Sequence, residues 1–417
     1  MTQRHYDVIV IGGGPAGLMA AGQAANKGAC VLLLEKMEKP ARKLRITGKG
    51  RCNITNTKPW NEFSTHIHPN IRFFKAAFFN FPNTALIDFL AQHGLPLVTE
   101  RGDRVFPASQ KAWDVADVLI QWAEQQGVTI RCHAQVQQLK QTGNRIEAAV
   151  VAQGNHTDTF TADRFIVATG GLSYPATGST GDGYRFAEES GHAITATRPA
   201  LTGVDVLNHH HALHGLTLRN IELTLWIDGN ASDTEFGELT FNETGIEGAV
   251  MLRLSRKTTD AFMQHRQTTL SLNLKPAVQT PQLRQRFYKE IEETNAQNGS
   301  VEALLRKFMP AKLIPAFAAA AGISANRPSA ALRQEAIDRT LQCLQDWKMP
   351  VAGIQGYERA VVTAGGVSLH DIDHKTMRSR KVENLFFAGE VIDLDADTGG
   401  YNLQIAFSTG YLAGRNA

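Results

Sequence analysis

Residues 6–11 are apolar and rich in β-branched side chains, 15–27 carry an Ala-rich helical pattern that Gly28 stops, and 31–34 are apolar again. That order predicts a strand, a tight turn, a helix and a second buried strand. Further along, 114–126 reads as helix, 128–132 as extended chain, and 136–139 with 146–151 as strands of a small antiparallel meander. Residues 165–168 form a short strand ending on Thr169-Gly170-Gly171, and 182–190 form a helix.

The texture changes near residue 199. Segments 201–206, 216–227 and 268–274 alternate apolar and polar positions, which predicts half-buried strands. Helical spacing dominates 281–347, as in 301–308 and 330–347. Short buried strands return at 360–362 and 385–388. The expected organisation is a first part at 1–198, an inserted β-rich part at 199–275, a helical part at 276–350, and the completion of the first part at 351–417.

A length of 417 residues fits two or three domains at ~150 residues each. With 43% hydrophobic and 20% charged residues the chain can bury a substantial core, which excludes a disordered or fibrous protein. Cys30, Cys52, Cys132 and Cys343 are scattered without a Cys-x-x-Cys pair, so neither a disulfide framework nor a zinc site is expected. The glycines at 12–14 and Pro15 interrupt the first apolar run, and no long apolar stretch follows. A secretory signal and a membrane span are therefore unexpected, and the cytoplasm is the expected setting. The net charge of +3 is unevenly placed: ten Lys and Arg against three acids leave +7 through Lys58, and −4 for the remainder. The basic run at 36–51 suits cofactor phosphates, nucleic-acid phosphates or plain solvent.

The most specific chemistry sits in Gly12-x-Gly14-x-x-Gly17, placed between the first strand and the first helix, with Glu35 at the end of the second strand. In a dinucleotide site the first glycine permits the tight turn, the second lets a pyrophosphate approach, and the third allows close helix–strand packing. The helix N-terminus offers free N–H groups to the phosphates, and Glu35 can accept from ribose hydroxyls. No second glycine fingerprint with its own acid is present, so a separate nicotinamide domain is not expected. The runs Val167-Ala-Thr-Gly-Gly171 and Leu385-Phe-Phe-Ala-Gly-Glu390 each deliver small residues from a strand end, in positions that resemble the later signatures of glutathione-reductase-type flavoproteins.

Taken in order, several runs extend that likeness. They are Lys43-Leu-Arg-Ile-Thr-Gly-Lys-Gly-Arg-Cys-Asn53 with Thr55-Asn56, Arg104-Val-Phe-Pro107, Thr169-Gly-Gly-Leu-Ser173, Gly181-Asp-Gly-Tyr184, Val362-Thr-Ala-Gly-Gly-Val367, and Ala388-Gly-Glu-Val-Ile-Asp393 with Gly399-Gly-Tyr-Asn402. Over nearly its whole length the chain resembles a family of bacterial NAD(P)/FAD-dependent flavoproteins. That family includes aminoacetone oxidase, a 3-dehydro-bile-acid reductase and an enzyme of dihydrouridine formation in ribosomal RNA.

The resemblance implies non-covalent FAD in an α/β fold: a glutathione-reductase-type Rossmann-like FAD domain, split by an inserted β-rich, barrel-like part and a small helical part. The cofactor contacts it implies begin with Gly12, Gly14, Pro15, Ala16, Gly17, Glu35 and Lys36. They continue through Arg42, Lys43, Thr47, Gly48, Arg51, Cys52, Asn53 and Val136, then Ala168, Thr169, Gly170 and Gly366. Gly389, Glu390, Gly400, Tyr401, Asn402 and Leu403 complete the set. Glu390 stands where an Asp more usually holds the ribityl chain. One departure marks a divergent branch: relatives commonly carry Thr-His-x-Gly-x-Ser-Gly-Pro in the inserted part. Here Phe241-Asn-Glu-Thr-Gly-Ile-Glu-Gly-Ala249 lacks the His, Ser and Pro and adds Glu243 and Glu247.

The function implied is hydride transfer between FAD and a small-molecule substrate, with NAD(P)H as a transient donor in the reductive direction or an amine as the source in the oxidative one. A flavin-dependent enzyme modifying uridine in ribosomal RNA, and a flavin-bearing sensor without turnover, are the alternatives. No membrane partner is expected, and the oligomeric state is left open. Because flavin chemistry resides largely in the cofactor, the catalytic candidates are few: Cys52, Tyr174, Tyr184 and Tyr401. Cys52 lacks a resolving partner, which favours a packed residue lining the flavin over a redox thiol. A helix beginning near Leu403 would aim its N-terminus at the flavin pyrimidine edge and stabilise negative charge there. His209, His210, His211 and His214 diverge on any regular element and read as a solvated loop, so no metal is expected.

Overall fold

The apolar runs at the N-terminus become the strands His5–Ile11 and Val31–Leu34, buried almost throughout, as strands of a parallel sheet are. The computed structural model describes residues 5–154 and 156–417. Seven strands form the main sheet. Thr129–Arg131, Val31–Leu34, His5–Ile11 and His156–Val167 lie side by side, followed by Arg145–Gln153 and Gln135–Thr142, while Leu385–Phe387 also pairs with His156–Val167. The strand His156–Val167 is shared. Its first half continues the antiparallel meander, and its last three residues pair in parallel with Leu385–Phe387.

Register is what positions the candidate site. Ile11 lies opposite both Leu34 and Val167, and Val167 lies opposite Phe387. Four strands therefore end level, and the next residues, Gly12, Glu35, Ala168 and Ala388, all leave from the same carboxyl edge. In open α/β sheets ligands bind at that edge.

The helices Pro15–Asn26 and Tyr401–Asn416 pack on each other through glycines. A Cβ on Gly410 would lie 2.3 Å from the Ala16 carbonyl oxygen, and one on Gly414 would lie 2.2 Å from that of Ala20. The stretch 59–111 adds the helices Ile71–Asn80 and Asn83–Gln92 and the hairpin of Leu97–Glu100 with Arg104–Pro107.

The chain divides into two units by contact, Met1–Pro199 with Ala360–Ala417, and Ala200–Arg359. The second unit is a closed six-stranded barrel in the order Val204–Val206, Gly245–Glu247, Asn230–Phe241, Thr217–Ile227, Thr268–Asn273 and Trp347–Ile354. Two expectations need correction here. The completion of the first part starts at 360 and not at 351, because Trp347–Ile354 pairs with Val204–Val206 and Thr268–Asn273 and closes the barrel. The helical segment is thus inserted within the barrel instead of following it, and the stretch read as β-rich also contains the helix Ala249–Met263. Pro350 inside the closing strand masks its β pattern in the sequence. The barrel residues Leu223, Leu225 and Leu270 share one core with Phe287, Leu304 and Phe317 of the helices. Among the described residues no helix is long and apolar enough to cross a membrane.

Candidate cofactor and active site

The three glycines of the first turn have different physical reasons. Gly12 has φ +104°, and a Cβ there would lie 2.5 Å from the Ala168 carbonyl oxygen; one on Gly17 would lie 1.9 Å from the Gly12 oxygen. Both are demanded by packing within the protein. Gly14, which caps the helix Pro15–Asn26, has φ −74° and ψ −178°, a conformation open to any residue. A Cβ on it meets nothing within 4 Å. Only at Gly14 does the turn face open ground, in front of the unpaired N–H groups of a helix start.

Glu35 leaves the second strand beside this turn. Its carboxylate accepts from Gly13 N–H and from Met37 N–H, each at 2.8 Å, one on each oxygen. The carboxylate is thereby oriented, with one lone pair on each oxygen still uncommitted. Val136 is buried close by, in a segment whose Ala134 N–H donates to the Glu35 carbonyl at 2.9 Å.

The basic run is largely occupied by the protein itself. Lys36 pairs with Asp182 at 2.7 Å, Arg42 with Glu38 at 2.6 Å, and Arg45 with Asp117 at 3.0 Å. Arg51 bonds Glu100, donates to Gln110 at 2.5 Å and lies 4.3 Å over the Phe106 ring. Lys39 and Arg45 both stack on Trp113, at 4.5 and 4.2 Å. Lys49 remains exposed. The Lys43 ammonium lies 2.7 and 3.0 Å from the two oxygens of Glu390, whose Oε1 also accepts from Thr363 N–H at 2.8 Å. Lys43 and Glu390 are far apart in sequence and are brought together here, both half-buried.

The loop after Lys43 turns on left-handed residues: Gly48, Lys49, Gly50 and Cys52 all have positive φ. Thr47 caps locally, its hydroxyl donating to Leu44 O at 2.7 Å. Cys52 is fully buried, and burial pushes its thiol up to about 12 despite a hydrogen bond with Thr47. It therefore carries no thiolate at neutral pH. The Asn53 side-chain amide lies 3.1 Å from Gly400 N, and with its oxygen turned to that side it accepts from this N–H and ties the loop to the start of the helix Tyr401–Asn416. A Cβ on Gly400 would lie 2.5 Å from the Thr55 backbone.

The remaining sequence candidates divide. Ala16 and Ala168 are buried, Pro15, Gly170 and Leu403 are partly exposed, and the Thr169 hydroxyl is buried without a partner among the described residues. Gly366 and Gly389 are closed in by protein, since a Cβ would lie 2.6 Å from Val391 O and 2.7 Å from Ala16 Cβ respectively. The Asn402 amide serves the chain itself, bonding the Ala396 N–H and carbonyl at 2.9 and 2.8 Å. Tyr174 opens a turn at φ +54°, and Tyr184 is buried on the helix Asp182–Glu189. Tyr401 is buried, and burial, followed by the charges of Asp397, Asp103 and Glu62, raises its phenol well above the ordinary value. In the second unit Glu243 and Glu247 both face Arg359, at 3.1 and 3.9 Å, so the added charge of the divergent run is met within the same unit.

One cluster has no sequence signature. The strand Asp395–Ala396 pairs with Ile67–His68, and Asp397 accepts from His66 Nδ1 at 2.9 Å and His68 Nε2 at 3.1 Å. The His66 ring stacks on Tyr401 at 4.3 Å and 20°. Over three hundred residues separate the partners in sequence, and only strand pairing unites them.

Loops gathered at the carboxyl edge of a parallel sheet, around an open helix start, are the mark of the Rossmann-type dinucleotide-binding class, and this fold falls within it. The chain belongs to the HI0933-like protein Rossmann domain family, whose model matches residues 6–416. It is 28% identical over 410 residues to a 3-dehydro-bile acid delta(4,6)-reductase of Clostridium scindens, covering 98% of each chain. It is also 30% identical over 414 residues to a ribosomal RNA dihydrouridine synthase of Escherichia coli, covering 98% of this chain and 96% of that one. Its fold is similar to that of the 3-ketosteroid-delta4-(5alpha)-dehydrogenase from Rhodococcus jostii RHA1, with a TM-score of 0.54 at 16% identity, over 99% of this chain and 96% of that one.

Proposed function

We propose that this protein is an FAD-dependent oxidoreductase that passes hydride, received from NAD(P)H, to a carbon–carbon double bond of a small-molecule substrate. The observation that carries the reading is the open ground at Gly14, the one glycine of the turn that no protein atom requires. The donor set around it suits FAD: helix N–H groups for the pyrophosphate, the free lone pairs of Glu35 for ribose hydroxyls, and the Lys43–Glu390 pair for the ribityl chain. The orphaned Thr169 hydroxyl, on the loop that leaves the same sheet edge, is a further unfilled partner. FAD, when bound, supplies reversible acceptance and donation of a hydride equivalent.

This chain's side chains do the placing. Lys43 holds the Glu390 carboxylate still, so that the remaining lone pair on Oε2 can take a hydroxyl donor. The helix beginning at Tyr401 has free N–H groups at its start, which would favour negative charge on a ring held in front of it. The reductive direction toward an unsaturated substrate rests on the likeness to the bile-acid reductase. The test is reconstitution with FAD followed by anaerobic mixing with NADH or NADPH. Binding of FAD and bleaching of its visible band by either nucleotide is expected. Failure to bind FAD would refute the cofactor, and a band that stays oxidised with both would refute the donor.

A second reading, reduction of uridine in ribosomal RNA, is favoured by the likeness to the dihydrouridine synthase. Against it, Lys36, Arg42, Lys43, Arg45 and Arg51 of the basic run all face protein carboxylates, leaving few cations for phosphates. Nucleoside mass spectrometry of ribosomal RNA from a deletion strain decides it: unchanged dihydrouridine would exclude this activity.

A further inference from the structure

We propose that His66, oriented by Asp397 and stacked on Tyr401, is the proton donor that accompanies hydride transfer in the site described above. The inference rests on the oxidoreductase reading and adds to it the group that moves the proton.

The geometry is set by backbone. Pairing of Ile67–His68 with Asp395–Ala396, together with the Asp397 N–H donating to His66 O at 3.0 Å, fixes the carboxylate between the two imidazoles. Burial pushes the Asp397 carboxyl up, but hydrogen bonds from His66 and then His68 outweigh it and hold the group well below the usual carboxylate range. Facing an ionised carboxylate, each imidazole must present an N–H: Nδ1 of His66 and Nε2 of His68. That leaves Nε2 of His66 as its proton-exchanging atom, the arrangement by which a carboxylate orients a catalytic imidazole.

Location and surroundings favour His66 over the other candidates. Its ring lies against Tyr401, the first residue of the helix whose start, at Gly400, is tied to Asn53 of the cofactor loop. The Cys52 thiol, at about 12, and the raised Tyr401 phenol give up protons poorly. Among the described residues, Asp103 and Glu62, the latter 3.6 Å from Lys58, also bear charge on the Tyr401 phenol, and Asp395 lies across the strand pair from His68. His66 keeps 28% of its side chain exposed, enough to regain a proton from water.

FAD, when bound and reduced, would supply a hydride equivalent to one atom of an unsaturated acceptor as its π bond opens. The other atom takes the proton from His66 Nε2, leaving a neutral imidazole that solvent reprotonates. With dioxygen as the acceptor, the same balance gives hydrogen peroxide.

The natural acceptor being unidentified, dioxygen is the probe. FAD-loaded wild type, H66Q, H68Q and D397N are reduced anaerobically with dithionite, which needs no nicotinamide. Reoxidation in aerated buffer is then followed by stopped flow from about pH 5 to about pH 9. The wild-type rate is expected to fall at least about tenfold as pH rises. H66Q should run at the high-pH rate throughout, D397N should lose most of the acid limb, and H68Q should retain it. A wild-type limb preserved in H66Q, or no limb in the wild type, overturns the proposal. Long-range proton–nitrogen NMR of the wild type is a separate check. An Nδ1–H tautomer at His66 whose Nε2 titrates supports the proposal, and an Nε2–H tautomer overturns it even if H66Q misfolds. Failure of the wild type to bind FAD would instead count against the oxidoreductase reading.

Discussion

Gly14→Ala separates what the protein needs from what the cofactor needs. The backbone at Gly14 is extended, at φ −74° and ψ −178°, and the added methyl meets no protein atom within 4 Å. The apoprotein should therefore keep its stability or gain about 0.4–1 kcal/mol, because alanine restricts the unfolded chain. FAD should suffer: displacing one close phosphate contact to helix N–H groups forfeits about 1.5–3 kcal/mol. That is roughly a tenfold to hundredfold rise in Kd. Gly17→Ala is the contrast. Its methyl would lie 1.9 Å from the Gly12 carbonyl oxygen, backbone that cannot step aside, so the apoprotein should lose about 3 kcal/mol or more. The assay is urea unfolding of both apoproteins with FAD titration by fluorescence quenching. Wild-type FAD affinity in G14A, or equal destabilisation by the two substitutions, would refute the assignment of Gly14 to a ligand.

Other consequences follow from the ion pairs and thiols. Lys43→Met leaves a half-buried Glu390 carboxylate with only Thr363 N–H, and urea unfolding should show a loss of about 1–3 kcal/mol, partly restored in K43M/E390Q. If Cys52 is only a packed thiol, it should resist alkylation in the native protein at mildly alkaline pH while the exposed Cys30 reacts, as mass mapping would show. Asp397 has a folded-state pKa depressed below its unfolded value. Its contribution to stability is full above about pH 4 and lost as pH falls through the folded value. The stability gap between wild type and D397N should therefore be present at neutral pH and shrink in acid; a gap unchanged down to acid unfolding would contradict it.

Much of the first unit was legible in the residues. The glycine turn, the acid at the end of the second strand and the small-residue loops after Val167 and Phe387 are short-range patterns, because strand periodicity and turn chemistry are local. The closing strand Trp347–Ile354 was not legible, since a proline argues against a barrel strand and its pairing partners lie elsewhere in the barrel. Asp397 was equally hidden, because a carboxylate in a loop has no signature until strand pairing sets it between two imidazoles.

By itself, then, the sequence determined the Rossmann-type class and the glycine turn, acid and helix start at its sheet edge, because these are short-range features that a few glycines and one strand end specify. Tertiary structure decided how the charges are used. Residues distant in the chain meet only after folding, and the strength of an ion pair falls with distance and solvent. So the basic run that looked open to phosphates is mostly neutralised by Glu38, Glu100, Asp117, Asp182 and Glu390.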